Sequence, residues 1–343
     1  MVSSSGVTGR HNEAKADPPG VVTGRYGTIG EVFYVEEPYW PLNTALYVVD
    51  FKDNDPRFTA YLLRNTLRNY KSEKAAVPGV DRNVLHLIKV RTTERRRQER
   101  VVEILSAYDD LIENNRRRIA LLEEAARMLY REWFVHFRFS GHEHVKIIDG
   151  LPEGWGRTTL GQVAETNRES YGAKELPEQI HYIDISSVEQ GRIASKTSLS
   201  SDEAPGRARR KAKDGDVIWS NVRPNLRSYA LILQPEAADV FSTGFTVLSG
   251  KGVPFSWLYL VVTTDNFVGH LVNHATGAGY PAVRPGDFER ASVVLPSEGL
   301  LKDFHEASEP NFRLISKLEQ QNQHLAQARD MLLPRLMNGE IAV

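Results

Sequence analysis

From Val101 onward, one set of positions recurs in alternating steps of four and three: Val101, Leu105, Tyr108, Ile112, Asn115, Ile119, Leu122, Ala126, Leu129 and Trp133. All but Asn115 are apolar or aromatic. That rhythm belongs to a coiled-coil seam, and it predicts a helix over 94–136 about 60 Å long at ~1.5 Å per residue. The positions between are charged, as in RRRQER and NNRRR. A second seam reads Ile315, Leu318, Asn322, Leu325, Arg329, Leu332 and Leu336. Ser308 is its expected N-cap, Pro310 falls in its first turn, and Pro334 is expected to end or kink it. Laid antiparallel, the two seams bring Asn115 near Gln321 and Asn322, a polar layer of the kind that fixes register. The plainer alternative is two amphipathic helices, each packing on its own domain. Both helices exceed what one small domain can cover, which favours the pair.

Ahead of each helix the chain repeats a layout. WPLNTALYVV, RFTAYLL and AAVPGVDRNVLHLIKV return about two hundred residues later as FSTGFTVL, SWLYLVV and GAGYPAVRPGDFERASVVLP. Each copy predicts a Thr-centred strand (Asn43-Thr44, then Ser242-Thr243), an aromatic-led helix, a Gly/Pro loop and a β-rich segment. A duplicated block with a helical spacer suits contact with two similar targets a fixed distance apart.

Composition narrows the class without naming it. The 343 residues suggest two domains, and 41% hydrophobic with 25% charged residues is ordinary for globular chains. The absence of cysteine excludes disulfides and Cys-ligated metal, and suits a reducing cytosol. No signal-like start or membrane-length apolar run is present, so a cytoplasmic, membrane-free protein is expected. A net charge of −1 hides one basic stretch from Gly206 to Arg227, with Arg207, Arg209, Arg210, Lys211, Lys213, Arg223 and Arg227 against Asp214 and Asp216.

The phrases RRRQERVVEILSAYDDLIENNRRRIALLEEAARMLYREWF, LPEGWGRTTLGQVAE, DGDVIWSNVRPNLRSYA, FSTGFTVL, HATGAGYPAVRPGDFERASVVLP and LAQARDMLLPRLMNGEIAV together resemble the specificity (S) subunit of type I restriction–modification systems. The resemblance runs along nearly the whole chain. It implies α/β (mixed α+β) target-recognition domains in tandem, joined by two long antiparallel coiled-coil helices. The corresponding segments are 1–92, 93–138 for the first helix, 139–298, and 299–343 for the second helix and tail. It also implies a non-catalytic subunit that reads a bipartite site in double-stranded DNA and docks two methyltransferase subunits. S-adenosylmethionine, ATP and Mg would act in partner subunits, methyl transfer in the methyltransferase subunits and ATP-driven translocation and cleavage in restriction subunits, with no cofactor in this chain. The first block departs from the pattern. By the internal repeat it opens about 45 residues late, so its first recognition domain is expected to be N-terminally incomplete. A truncated assembly or decoy subunit, binding methyltransferase without full DNA recognition, is therefore the alternative.

Candidate DNA contacts follow from residue chemistry. Arginine suits guanine edges and phosphates alike, which nominates Arg207, Arg209, Arg210 and Lys211, then Asn221, Arg223 and Arg227 in SNVRPNLRS. A solvated charge run, or an internally paired Arg223 beside a Pro224 turn, would explain the same residues. Thr276, Tyr280 and Arg284 lie in the second Gly/Pro loop, and Arg82 in its counterpart. Arg25 and Tyr26 sit between glycines that serve either phosphate approach or a tight turn. Leu105, Ile112, Asn115, Ile119, Leu122, Leu129, Leu318, Asn322, Leu325 and Leu332 are the expected seam and subunit-contact positions. Catalytic patterns fail. DPPG lacks the aromatic that stacks on a flipped base, GFTVLSGKG has the wrong phosphate-loop spacing, and His142 with His144 lacks a third ligand. A stand-alone nuclease is disfavoured because no metal-binding carboxylate cluster is evident.

Overall fold

The computed structural model describes residues 1–26, 30–68, 70, 79–172 and 175–343. The chain divides into two compact units, Met1–Arg117 with Glu319–Val343, and Arg118–Leu318. The helices Arg95–Tyr130 and Glu298–Met337 therefore each contribute residues to both units.

In the first unit, strand Gly20–Gly24 lies between Val32–Val35 and Ala45–Tyr47, antiparallel to both. Its alternation is that of a sheet covered on two faces. Val22 packs with Val35, Tyr39 and Ala45, while Val21 packs with Val32, Ala60, Leu67 and Val80. Helix Pro56–Leu67 supplies Ala60 and Leu67. Asp55 caps it by accepting from Arg57 N and Phe58 N, with Pro56 in the first turn.

The opposite side of that helix meets the long helices. Phe58 and Tyr61 join Val101, Leu105, Leu333, Leu336 and Met337 in one buried cluster. Tyr61 donates to Asp109 Oδ2 at 2.6 Å, and Arg329 Nη1 donates to Asp109 Oδ1 at 2.6 Å. Burial, with the Asp109 carboxylate beside it, pushes the Tyr61 hydroxyl well above its ordinary pKa. Asn115 is fully buried, and its Nδ2 donates to Gln321 Oε1 at 3.1 Å and Asn322 Oδ1 at 3.0 Å. Together these contacts set the helices antiparallel within this unit. Ile112 is buried and Leu332 packs against the cluster, while Leu325 is half-buried.

The second unit is built on two larger sheets, beside two two-stranded ones. One runs in the order Val188–Ile193, Tyr229–Leu231, Val217–Ser220, Phe245–Gly250, Ala164–Thr166. The other runs Thr197–Ser200, Gln179–Ile183, Asp239–Ser242, Ala208–Arg210. Ile183 and Phe241 meet Ile218, Phe245 and Val247 between them. On the far side of the five-stranded sheet, Trp219, Tyr229 and Leu248 pack with Trp257, Phe288 and Phe304. Trp219 Nε1 donates to Val262 O at 2.9 Å, so the buried indole is satisfied. Ile119, Leu122 and Leu129 pack against this core, and Leu318 is buried.

Several local expectations are corrected. The second long helix starts at Glu298, not near Ser308. Leu300, Leu301 and Phe304 are buried and extend it backward, and Ser308 Oγ donates to Phe304 O at 2.7 Å instead of capping. Pro310 is exposed, so the carbonyl it leaves unbonded can face water. Pro334 does not end the helix, because Leu336 and Met337 beyond it are buried with Val101 and Leu105. The first long helix widens over Arg131–Val135, where His136 N donates to Arg131 O at 2.9 Å and Phe134 turns into the core. The two Thr positions fall in turns: Asn43-Thr44 precede strand Ala45–Tyr47, and Ser242 ends strand Asp239–Ser242 with Thr243 in the turn before Phe245–Gly250. In the first copy the expected β-rich segment contains helix Arg82–Leu87, capped by Asp81.

Candidate nucleic-acid interface

The repeat is visible in the backbone. Val32–Val35, Gly20–Gly24 and Ala45–Tyr47 stand in the same antiparallel order as Tyr229–Leu231, Val217–Ser220 and Phe245–Gly250. At the end of each central strand the next residue is held twice. Arg25 N donates to Thr44 O at 2.8 Å and Val80 N to Arg25 O at 2.9 Å. Asn221 N donates to Gly244 O at 2.8 Å and Val283 N to Asn221 O at 2.8 Å. Bridges Tyr26–Gly79 and Val222–Ala282 then dock the Gly/Pro loop onto the loop that follows the strand. A Cβ on Gly79 would lie 2.9 Å from Arg25 O, so the close approach in the first unit requires glycine.

In the second unit this junction gathers Asn221, Arg223, Arg227, Thr276, Tyr280 and Arg284. Arg223 and Arg227 both have left-handed backbones, with φ of 51° and 56°. Such values in non-glycine residues persist where surrounding bonds over-determine them. Here Arg223 N donates to Pro281 O at 2.7 Å and Arg227 N to Pro224 O at 3.1 Å. The Arg223 guanidinium lies 4.6 Å from the centre of the Tyr280 ring, and its Nη2 donates to Gly279 O at 3.3 Å. Tyr280 is 73% exposed. Thr276 pairs through its backbone with Ala282, and Arg284 is exposed at the start of helix Pro285–Glu289.

The other candidates have prior engagements. Asn221 Oδ1 accepts from Thr246 Oγ1 at 2.7 Å, which turns the amide toward the sheet. Arg227 Nη2 is 2.5 Å from Asp265 Oδ1. Arg209 donates to its neighbour's carbonyl, Ala208 O, at 2.9 Å. Arg210 donates to Ser170 Oγ at 3.0 Å, and burial lowers the pKa of its guanidinium. Lys211 Nζ stands 4.1 Å over the Tyr171 ring, and Lys213 pairs with Glu169, holding that carboxyl below its usual range. Arg207 is exposed, and its carbonyl accepts from Thr243 N at 2.8 Å, next to the Gly244 that receives Asn221 N. The basic run therefore splits, with Arg207, Arg223 and Arg227 at or beside the loop junction and Arg209, Arg210, Lys211 and Lys213 engaged along the sheet.

In the first unit Arg25 lies 5.1 Å from the centre of the Tyr26 ring, and Arg82 is exposed one residue after the Asp81 cap. Residues 27–29 and 71–78 of the flanking loops lie outside the described residues.

Two constellations escaped the sequence reading because their members are far apart in the chain. His181, Glu236 and Asp239 place ligand-type atoms within 4.8 Å of one another. Lys196 Nζ stands 2.8 Å from Asp239 and 3.1 Å from Glu236, where a cation would sit, and holds the Glu236 carboxyl below its usual range. Ser256, His305 and Glu309 form a Ser–His–carboxylate chain, with links of 3.0 and 3.3 Å. Ser256 is completely buried and Glu309 also binds Arg313, so no acyl substrate reaches that hydroxyl.

Among the described residues, no helix is long and apolar enough to cross a membrane. Residues 3–124 match a family model described as the type I restriction modification DNA specificity domain. The chain is 22% identical over 258 residues to the type I restriction enzyme MjaIX specificity subunit of Methanocaldococcus jannaschii, covering 72% of this chain and 59% of that protein. It is 21% identical over 296 residues to the MjaVIII specificity subunit of the same organism, covering 83% of this chain and 70% of the relative. It therefore spans less than two thirds of the first of these relatives. The crystal structure of a type I restriction–modification S subunit from M. genitalium superposes with a TM-score of 0.59 at 14% identity, over 98% of this chain and 87% of that one. The mixed α/β fold with two long helices is shared with that structure.

Proposed function

We propose that this chain, which carries a type I restriction–modification DNA specificity domain and resembles type I specificity subunits along most of its length, reads double-stranded DNA through the loop junction of each unit. The observation that carries this reading is the recurrence of that junction. In both units the same backbone bonds hold one loop against another, and an arginine lies against a tyrosine ring there. Repeated loop geometry with an exposed cation suits repeated recognition of a duplex. Each unit would read one half of a bipartite site.

The chain supplies recognition and no chemistry of its own. Methyl transfer from S-adenosylmethionine belongs to two methyltransferase subunits docked on the long helices, and ATP- and Mg-dependent steps to restriction subunits. Helix Arg82–Leu87 buries none of its residues, which favours a second reading: an assembly subunit that binds methyltransferase without reading a complete site. Methylome sequencing of a host expressing the chain with its methyltransferase separates the two. A two-part methylated motif is expected. Methylation confined to one half-sequence supports the second reading, and no sequence-dependent methylation overturns the first.

A further inference from the structure

The two junctions build their Arg–Tyr pairs in different registers. In the first unit arginine and tyrosine are neighbours on one strand end, Arg25 at the place of Asn221 and Tyr26 at that of Val222. In the second unit those two places hold Asn221 and Val222. The arginine is instead Arg223 on the strand's own loop, and the tyrosine is Tyr280 on the opposing one. Different residues thus arrive at the same pair in the same part of the frame, where chain repetition alone would have put Asn221 against Arg25.

We infer that Arg25 and Arg223 are base-reading residues, each contacting one guanine in the half-site of its unit, with Tyr26 and Tyr280 as positioning residues. The inference rests on the DNA-recognition reading above. Three features separate Arg223 from phosphate-gripping cations, and Arg25, placed in the same frame against its own tyrosine, shares the first of them. Neither arginine has a carboxylate partner among the described residues, whereas Arg227 and Lys213 do. The Arg223 guanidinium is fixed by the ring on one face and by Gly279 O through Nη2, which leaves its remaining N–H edge presented in one orientation. A phosphate needs only a nearby positive charge, while guanine O6 and N7 need a fork held in a plane. Finally, the strained φ of Arg223 fixes where that fork begins.

The test selects bound sequences from a random duplex library with the full chain in complex with its methyltransferase, and measures affinity against salt. The wild type should select a two-part motif with a guanine in each part. Arg223→Ala should relax preference at one guanine by about ten- to a hundredfold and leave the other half intact, and Arg25→Ala should do the converse. Arg223→Lys keeps the charge without the fork. It should lose the same discrimination while retaining overall affinity, and it covers the case in which the alanine variant fails to melt like wild type. Tyr280→Phe should preserve the motif, and Tyr280→Ala should blur the Arg223 position alone. Uniform weakening with a shallower salt slope and an unchanged motif would assign phosphate contacts and overturn the inference. Lysine variants that discriminate like wild type, or a wild-type motif lacking guanine in either half, would do the same. A wild-type complex that selects no motif defeats the DNA reading itself, and the inference with it.

Discussion

The two units share a three-stranded frame and differ in what surrounds it. In the second unit Ala164–Thr166 closes one edge by pairing with Phe245–Gly250, and the residues just before it, Gly156–Thr159, form a separate two-stranded sheet with Ser292–Leu295. Val188–Ile193 adds a strand on the opposite side, against Tyr229–Leu231. Among the described residues of the first unit, the outer edges of Ala45–Tyr47 and Val32–Val35 carry no strand. Val49 is 83% exposed and Leu87 81%. Helix Pro285–Glu289 buries Phe288 completely, whereas its counterpart Arg82–Leu87 offers the core only the half-buried Leu85. Yet the junction bonds agree to within about a tenth of an ångström, 2.8 and 2.9 Å against 2.8 and 2.8 Å. Loop geometry is therefore a property of the frame, and the wrapping supplies core depth.

The comparison breaks most readily at the cores. Trp219→Ala removes a fully buried indole and its bond to Val262 O, and should destabilise the second unit by about 3–5 kcal/mol. Val22→Ala in the equivalent strand of the first unit should cost no more than about 2.5 kcal/mol. Denaturant unfolding of both variants checks this, and equal costs would mean that the wrapping adds no depth. Next in size is Asp109→Ala. It strips Tyr61 and Arg329 of a shared acceptor where the helices pack on the first unit, and should lower stability by about 2–4 kcal/mol. If thermal melting shows no loss, the long helices do not depend on that link. The smallest effect is expected at the junction. Gly79→Ala forces a Cβ against Arg25 O, and should speed amide exchange of Val80 with a loss of about 1 kcal/mol or less. Ala282→Gly, at the matching place in the second unit, should leave Val283 exchange nearly unchanged. Equal behaviour at the two sites would show that the close approach to Arg25 O does not constrain the first junction.

What the sequence disclosed was periodic or repeated. The seam from Val101 to Trp133 and the echo of WPLNTALYVV in FSTGFTVL each need only neighbours a few residues apart, or a second copy to compare. What it concealed depends on distant partners. Ser308 and Pro310 carry the local marks of a helix start, and only the burial of Leu300, Leu301 and Phe304 shows that the helix begins at Glu298. Pro334 carries the mark of a stop, overridden by Leu336 and Met337 packing beside Leu105. Among the candidate DNA contacts, composition marked Arg207 to Arg227 as one basic run. It could not show that Asp265 holds Arg227 or that Ser170 holds Arg210. Nor could spacing foresee that Asn221 turns its amide toward Thr246.

Arg223 and Arg227 bracket Pro224–Leu226 with two left-handed backbones. That strain, on the order of 1–3 kcal/mol per residue, is incurred when the chain folds and not when a partner arrives. On the proposed reading the loop meets a duplex already ordered, so encounter proceeds at the rate of two rigid surfaces whatever the sequence. Discrimination then falls on departure: a wrong half-site is gripped as quickly as a right one and released sooner.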